Sequence, residues 1–136
     1  MYKIGYTTGV FDMFHIGHLN ILERSKAQCE HLIVGVSTDK LVKEYKNKTP
    51  IIPEDQRKRI VSAIKFVDEV VYQESMDKFA AWEKYKFDVV FVGSDWKGTE
   101  KWNKIEAEFK KLGVDVVYLP HTDGISSTIL AKTVGE

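Results

Sequence analysis

Gly9-Val10-Phe11-Asp12-Met13-Phe14-His15-Ile16-Gly17-His18 is the stretch from which the rest of the chain is read. Upstream of it, Tyr2-Lys3-Ile4-Gly5-Tyr6-Thr7-Thr8 alternates as a strand does. Downstream, Leu19 to Gln28 has helical spacing, with Leu19, Ile21, Leu22 and Ala27 set among Glu23, Arg24 and Lys26. The ten residues therefore form a strand-to-helix turn. At such a turn the unpaired N–H groups of the first helical turn face whatever lies above the sheet edge, and an anion suits them. His15 and His18 are one helical turn apart, so both imidazoles project from one face. Gly17 between them removes a side chain where a bulky group would approach. The same spacing also suits zinc, or a pair of histidines with no ligand. Zinc would need a third and fourth ligand, and the nearest soft candidates, Cys29 and His31, lie one helix away. A phosphate-bearing ligand is the expected occupant.

Outward from the turn, strands and helices alternate. His31-Leu32-Ile33-Val34-Gly35-Val36-Ser37 is a nearly continuous apolar run, as a strand buried on both faces requires, and Thr38 or Asp39 can cap a short helix through about Tyr45. Lys43 to Pro53, with Lys43, Lys46 and Lys48, Asn47, Thr49 and two prolines, reads as a mobile basic loop. Further helices are expected over Glu54 to Phe66, Met76 to Lys86 and Lys101 to Leu112, the last stopped by Gly113. Strands are expected over Val67 to Tyr72, Phe87 to Val92 and Val114 to Leu119, and a final helix begins near Ser126 or Ser127. Five strands alternating with helices predict one α/β domain over residues 1–136, a five-stranded parallel sheet flanked by helices. The carboxyl ends of strands 1, 4 and 5 carry the His15/His18 turn, Asp95-Trp96, and His121 to Thr128. Three unusual stretches on one edge predict a single site there.

Composition narrows the classes. The chain has 136 residues, 43% hydrophobic and 29% charged, which suits a soluble domain with a real core. No apolar run approaches bilayer length and no signal-peptide pattern precedes the first strand, so no membrane partner is expected. One cysteine precludes an internal disulfide framework and favours a cytoplasmic location. Zero net charge argues against broad nucleic-acid binding, so an anionic ligand must be held by a local cluster.

The order G-x-F-D-x-x-H-x-G-H, then an E-x-x-R-K helix followed by V-D-E-V, a G-x-D-W strand end and a closing T-D-G-I-S-S-T segment resembles the cytidylyltransferase family over nearly the full chain. Within it the likeness is greatest to the members that act on glycerol 3-phosphate. H-x-G-H alone is shared with class I aminoacyl-tRNA synthetases and adenylyltransferases; the combination with G-I-S-S-T is more specific. The resemblance implies a Rossmann-like sheet, a homodimer, Mg2+ carried through the nucleotide phosphates, and transfer of CMP from CTP to a phosphorylated alcohol with release of pyrophosphate. It places His15 and His18 on the CTP phosphates beside Gly9, Val10, Phe11 and Asp12. It places Lys46 and Lys48 on the two reacting phosphates and Arg57 on the nucleotide. Asp95 and Trp96, His121, and Thr122, Gly124, Ile125, Ser126, Ser127 and Thr128 complete the implied nucleotide site. Val10, Lys65 and His121 depart from the family pattern, which usually has threonine, arginine and arginine there. The last departure exchanges a fixed cation for a titratable one.

From the residues themselves, Asp12 either binds substrate or orients the turn, and Asp95 either accepts from a cytosine amine or caps the chain after its strand. Trp96 and Trp102 read as packing or dimer contacts, with Trp82 and Tyr85 also available for an interface. Lys78 could reach the acceptor, although a surface lysine is the plainer reading. The rivals are an ATP- or CTP-dependent enzyme for another acceptor (a ribitol, choline, ethanolamine or sugar phosphate, or a flavin) and a non-catalytic nucleotide-binding protein. A product entering a surface polymer such as teichoic acid or capsule is an expectation of the resemblance.

Overall fold

The structure, a computed structural model, describes residues 1–121. Its five strands, β1 (Tyr2–Gly9), β2 (Cys29–Ser37), β3 (Glu69–Gln73), β4 (Val89–Gly93) and β5 (Asp115–Leu119), form one parallel sheet in the order β3-β2-β1-β4-β5. The helices between them are α1 (Ile16–Lys26), α2 (Asp39–Lys46), α3 (Glu54–Ser62), α4 (Lys78–Tyr85) and α5 (Glu100–Lys111), with a 3-10 turn over Ser94–Trp96. From β1 the chain runs outward through β2 and β3, then returns to add β4 on the other side of β1. The switch point therefore falls between β1 and β4, where a crevice opens above the strand ends.

Period-two alternation explains the two-sided core. On one face Leu32, Val34 and Val36 of β2 and Val89 and Phe91 of β4 pack with Leu22 of α1 and Val61 of α3. On the other, Tyr6, Ile33 and Val90 pack with Phe109 of α5, and Phe79, Trp82 and Tyr85 of α4 lean on them. Gly35 is required by this arrangement, because a Cβ there would lie 2.8 Å from the Tyr6 hydroxyl.

Several boundaries differ from the sequence expectation, each for a local reason. Helix α1 starts three residues before Leu19, because His15 serves as its N-cap. Helix α2 takes in Lys43 and Lys46, which the sequence assigned to the basic loop, and ends at Asn47 in the left-handed conformation. Helix α3 stops at Ser62 rather than Phe66. Turn bonds from Ile64 N–H to the Val61 carbonyl and from Val67 N–H to the Ile64 carbonyl then carry the chain into β3, whose start is tied by the Asp68 carboxylate accepting from Leu32 N–H at 2.7 Å. Helix α4 begins at Lys78, capped by Asp77, and α5 at Glu100, capped by Thr99. Trp102 is buried, so it packs the interior and is not available for an interface.

Candidate active site

Beyond Gly9 the backbone passes through two left-handed residues, Phe11 (φ 55°) and Met13 (φ 49°). Each costs on the order of 1–2 kcal/mol for a residue with a Cβ, so packing must hold them. The Phe11 ring is buried, meets His18 edge-on at 5.4 Å and lies over Gly9, where a Cβ would come within 3.0 Å of it. The Asp12 carboxylate accepts from the backbone N–H groups of Ile51 and Ile52, both at 2.9 Å. Of its two sequence readings, orientation is the one seen here: Asp12 fastens the loop after α2 to the turn.

The two histidines form a reciprocal cap. His15 Nδ1 accepts from Gly17 N–H at 3.1 Å, and His18 Nδ1 accepts from the N–H of His15 at 3.2 Å. A backbone N–H can only donate, so both Nδ1 atoms are unprotonated and each neutral ring carries its proton on Nε2. The rings stack with centroids 3.8 Å apart. Burial lowers the pKa of His15, and burial together with neighbouring His15 lowers that of His18 to about 4 against an opposing pull from Asp12. His15 Nε2 is buried and has no partner among the described residues. An unpaired buried N–H donor is costly until an acceptor arrives, and phosphate oxygens are such acceptors.

This geometry has a stability signature. Below the ordinary histidine pKa of 6.5 the unfolded chain takes up a proton that His18 in the fold refuses until pH about 4. Stability is therefore full above pH 6.5 and falls as pH drops toward 4, by up to about 3 kcal/mol for this one group. Urea titrations at pH 7.5 and 4.5 should show the loss, and His18→Gln should shrink it.

Arg57 corrects the sequence reading. Its side chain is fully buried under the turn. The guanidinium donates to the carbonyls of Ile52 (2.8 Å), Val10 (2.7 Å) and Ser37 (2.7 Å) and pairs with Asp39. Asp39 and Glu54 in turn bond to each other's backbone N–H groups at the starts of α3 and α2. Arg57 thus joins the turn, the end of β2, the basic loop and two helix starts, and presents no exposed face to a nucleotide.

Two cavities open at the carboxyl edge. The larger, about 420 Å3, is lined by Thr8 to Asp12, His18, Lys46 and Lys48, with Ile21, Val42 and Thr49 to Ile51. The smaller, about 220 Å3, shares Thr8, Gly9, Val10 and Lys46 with it and continues between Tyr45, Gln73, Lys78, Trp96, Lys101 and Trp102. Burial and then the adjacent Lys48 lower the pKa of Lys46. Lys78 is buried, against the surface position expected from sequence. Its Nζ donates to Thr8 Oγ1 at 2.8 Å and to Gln73 Oε1, and Gln73 Nε2 donates to Ser37 Oγ at 2.9 Å. Burial, helped by Lys101, lowers its pKa to about 8. Asp95 lies on the 3-10 turn after β4 with its carboxylate 2.7 Å from His121 Nε2, both well exposed. Sequence reasoning missed Thr8, Ser37 and Gln73, all at or next to the last positions of their strands; the strand-end rule alone could have found them.

Residues 6–133 match the cytidylyltransferase-like family. The chain belongs to that family. As a cytidylyltransferase-like protein it is a nucleotidyltransferase. It is 39% identical to the glycerol-3-phosphate cytidylyltransferase of Bacillus spizizenii, over 93% of this chain and 92% of that one. It is also 42% identical to the FAD synthase of Ferroglobus placidus, over 79% of this chain and 68% of that one. Among solved structures, a lipopolysaccharide core biosynthesis protein from Thermoplasma volcanium superposes with TM-score 0.73 at 29% identity, covering 90% of this chain and 98% of that one. Of the residues expected from sequence at the site, the structure brings Gly9 to Asp12, His18, Lys46 and Lys48 around the larger cavity and places Lys78 and Trp96 on the smaller, whereas His15 lines neither. Arg57 lies beneath both, and Asp95 pairs with His121 at the rim. Thr122, Gly124, Ile125, Ser126, Ser127 and Thr128, with the helix expected to follow, lie outside the described residues.

Proposed function

We propose that the protein transfers CMP from CTP to a small phosphorylated alcohol, glycerol 3-phosphate, giving CDP-glycerol and pyrophosphate. The observation that supports this most is the pair of adjoining cavities. One is bordered by His18 of the imidazole cap, the other is lined by a buried lysine with no anionic partner among the described residues, and Lys46 stands on their common wall. The acceptor phosphate is already ionised near neutral pH and needs no general base. One of its oxygens attacks the α-phosphorus of CTP, the bond to the bridging oxygen of the β-phosphate breaks, and pyrophosphate leaves. The obstacle is repulsion between two anions, so the protein's part is positioning and charge stabilisation.

In this reading His15 and His18 donate from Nε2 to the triphosphate, Lys46 bridges the reacting phosphates, and Lys48 closes the loop side. Lys78 holds the acceptor phosphate. The Mg2+ in the proposal is carried by the triphosphate, whose charge it would reduce. Volume favours a small acceptor over a flavin, because about 220 Å3 is below the roughly 300–1,000 Å3 that holds a drug-sized ligand. A homodimer, a cytoplasmic location and a product used in surface polymers belong to the same proposal; sedimentation at twice 15.6 kDa would support the dimer.

The deciding experiment pairs CTP or ATP with glycerol 3-phosphate or flavin mononucleotide, in Mg2+, and measures pyrophosphate. Release with CTP and glycerol 3-phosphate is expected; turnover confined to ATP and the flavin would overturn the assignment. A pH profile adds to it. Lys78 is charged below pH about 8 and loses its proton above. The acceptor's kcat/KM, which reports the free enzyme, should therefore fall as pH rises through 8, and Lys78→Met should remove that limb together with most of the acceptor affinity.

A further inference from the structure

The smaller cavity has a one-sided electrostatic lining. Lys46, Lys78 and Lys101 reach it, and among the described residues no aspartate or glutamate lines it. Two of these lysines stand where a helix least favours them. Lys78 is the first residue of α4 and Lys101 the second of α5, at the positive ends of two helix dipoles that a cation opposes. Lys101 also adds like-charge repulsion to Lys78. Two acids on the flanking elements are engaged elsewhere: the Asp77 carboxylate caps α4 through the N–H groups of Phe79 and Ala80, and Asp95 is paired with His121. A concentration of positive charge with no acid among the described residues of its lining fits a ligand that brings its own negative charge.

In the proposed reading Lys78 and Lys46 take the acceptor phosphate. Lys101, exposed on α5 at the cavity wall, faces the remainder of the acceptor. We propose that Lys101 is a specificity-determining residue, making this cavity a filter that admits phosphorylated alcohols whose remaining groups are neutral or anionic and rejects phosphorylated amino alcohols. This rests on the smaller cavity being the acceptor site. Tyr45, Trp96 and Trp102 on the same walls could in isolation attract a quaternary ammonium. Cation–π attraction of roughly 0.5–2 kcal/mol, however, competes with three like charges in a partly dehydrated space, where each pair interacts at an effective dielectric far below that of water.

The test measures pyrophosphate release by the full chain with CTP and Mg2+ against glycerol 3-phosphate, phosphoethanolamine and phosphocholine. Calorimetric binding of the same three acceptors without nucleotide accompanies it. The wild type should prefer glycerol 3-phosphate over phosphocholine by at least about 100-fold in kcat/KM. Lys101→Glu, at an exposed position, should keep its Tm and its KM for CTP, raise the KM for glycerol 3-phosphate about tenfold, and narrow the preference for it over both amino alcohols; Lys101→Met should fall between. Wild-type use of phosphocholine at a comparable rate, or an unchanged preference in Lys101→Glu, would overturn the filter. Turnover with none of the acceptors would count against the transferase reading. In that case Lys101-dependent binding of glycerol 3-phosphate over phosphocholine would still support the cavity assignment, and equal binding would refute it.

Discussion

Replacing His18 by alanine should lower kcat by about 10²–10³-fold, the usual loss when one preorganised donor to developing charge is removed. The effect should be in turnover more than in affinity, because in the proposed reaction the Nε2–H acts most where negative charge gathers at phosphorus. The substitution also removes the acceptor for the N–H of His15, at 3.2 Å, so about 1 kcal/mol of helix-start stability should go with it. His18→Asn separates the two effects. A short side-chain carbonyl can still accept from a backbone N–H near the helix start, yet its amide cannot reach where Nε2 stood. Stability should largely return while kcat stays low, as steady-state kinetics and urea unfolding on the two variants would show. Recovery of both together would mean that His18 only caps the helix.

Arg57→Met should be among the most damaging single changes in the chain, destabilising the fold by roughly 3–5 kcal/mol. The loss comes from what is left behind. Three backbone carbonyls, of Val10, Ser37 and Ile52, and the Asp39 carboxylate lose their donor beneath a side chain with no exposed surface. An arginine whose main task was gripping a phosphate would behave otherwise, raising KM for the nucleotide with little change in unfolding free energy. Arg57→Lys should recover only part of the stability, since one ammonium cannot reproduce a planar fork aimed at several acceptors. Denaturant midpoints distinguish these outcomes before any activity is assayed.

These two residues also show what could be read in the chain before its fold was known. The parallel sheet was legible because its strands are written as short apolar runs with glycine or polar breaks, and β2 and β4 are buried on both faces. Placing the unusual motifs at strand ends put them on one carboxyl edge, but the strand order, with β1 beside β4 at the switch point, is seen only in the fold. The start of α1 was misjudged because histidine is not among the favoured N-cap residues, although a His-x-x-His pair at N-cap and N3 has the outline of a capping box. The role of Arg57 was hidden for a different reason. Its acceptors are backbone carbonyls up to 47 positions away, and a carbonyl leaves no trace in a sequence. Lys78 misled through its position: the first residue of a helix carries no periodicity, and only the fold shows that this helix starts under the crevice. Asp12 offered two readings, and the loop bonds to Ile51 and Ile52 favour orientation.

The central claim is that His15 and His18 are neutral Nε2–H donors held in that form by a reciprocal cap, and that in the proposed reaction they donate to a nucleotide phosphate. Long-range 15N–1H correlation of the imidazoles at pH 7, with and without CTP and Mg2+, tests it most directly. Both rings should show the proton on Nε2 with Nδ1 unprotonated in the free protein, and both Nε2–H signals should move when CTP binds while the tautomer is retained. An imidazolium or a proton on Nδ1 in the free protein, or Nε2 signals that ignore CTP at saturation, would contradict the account.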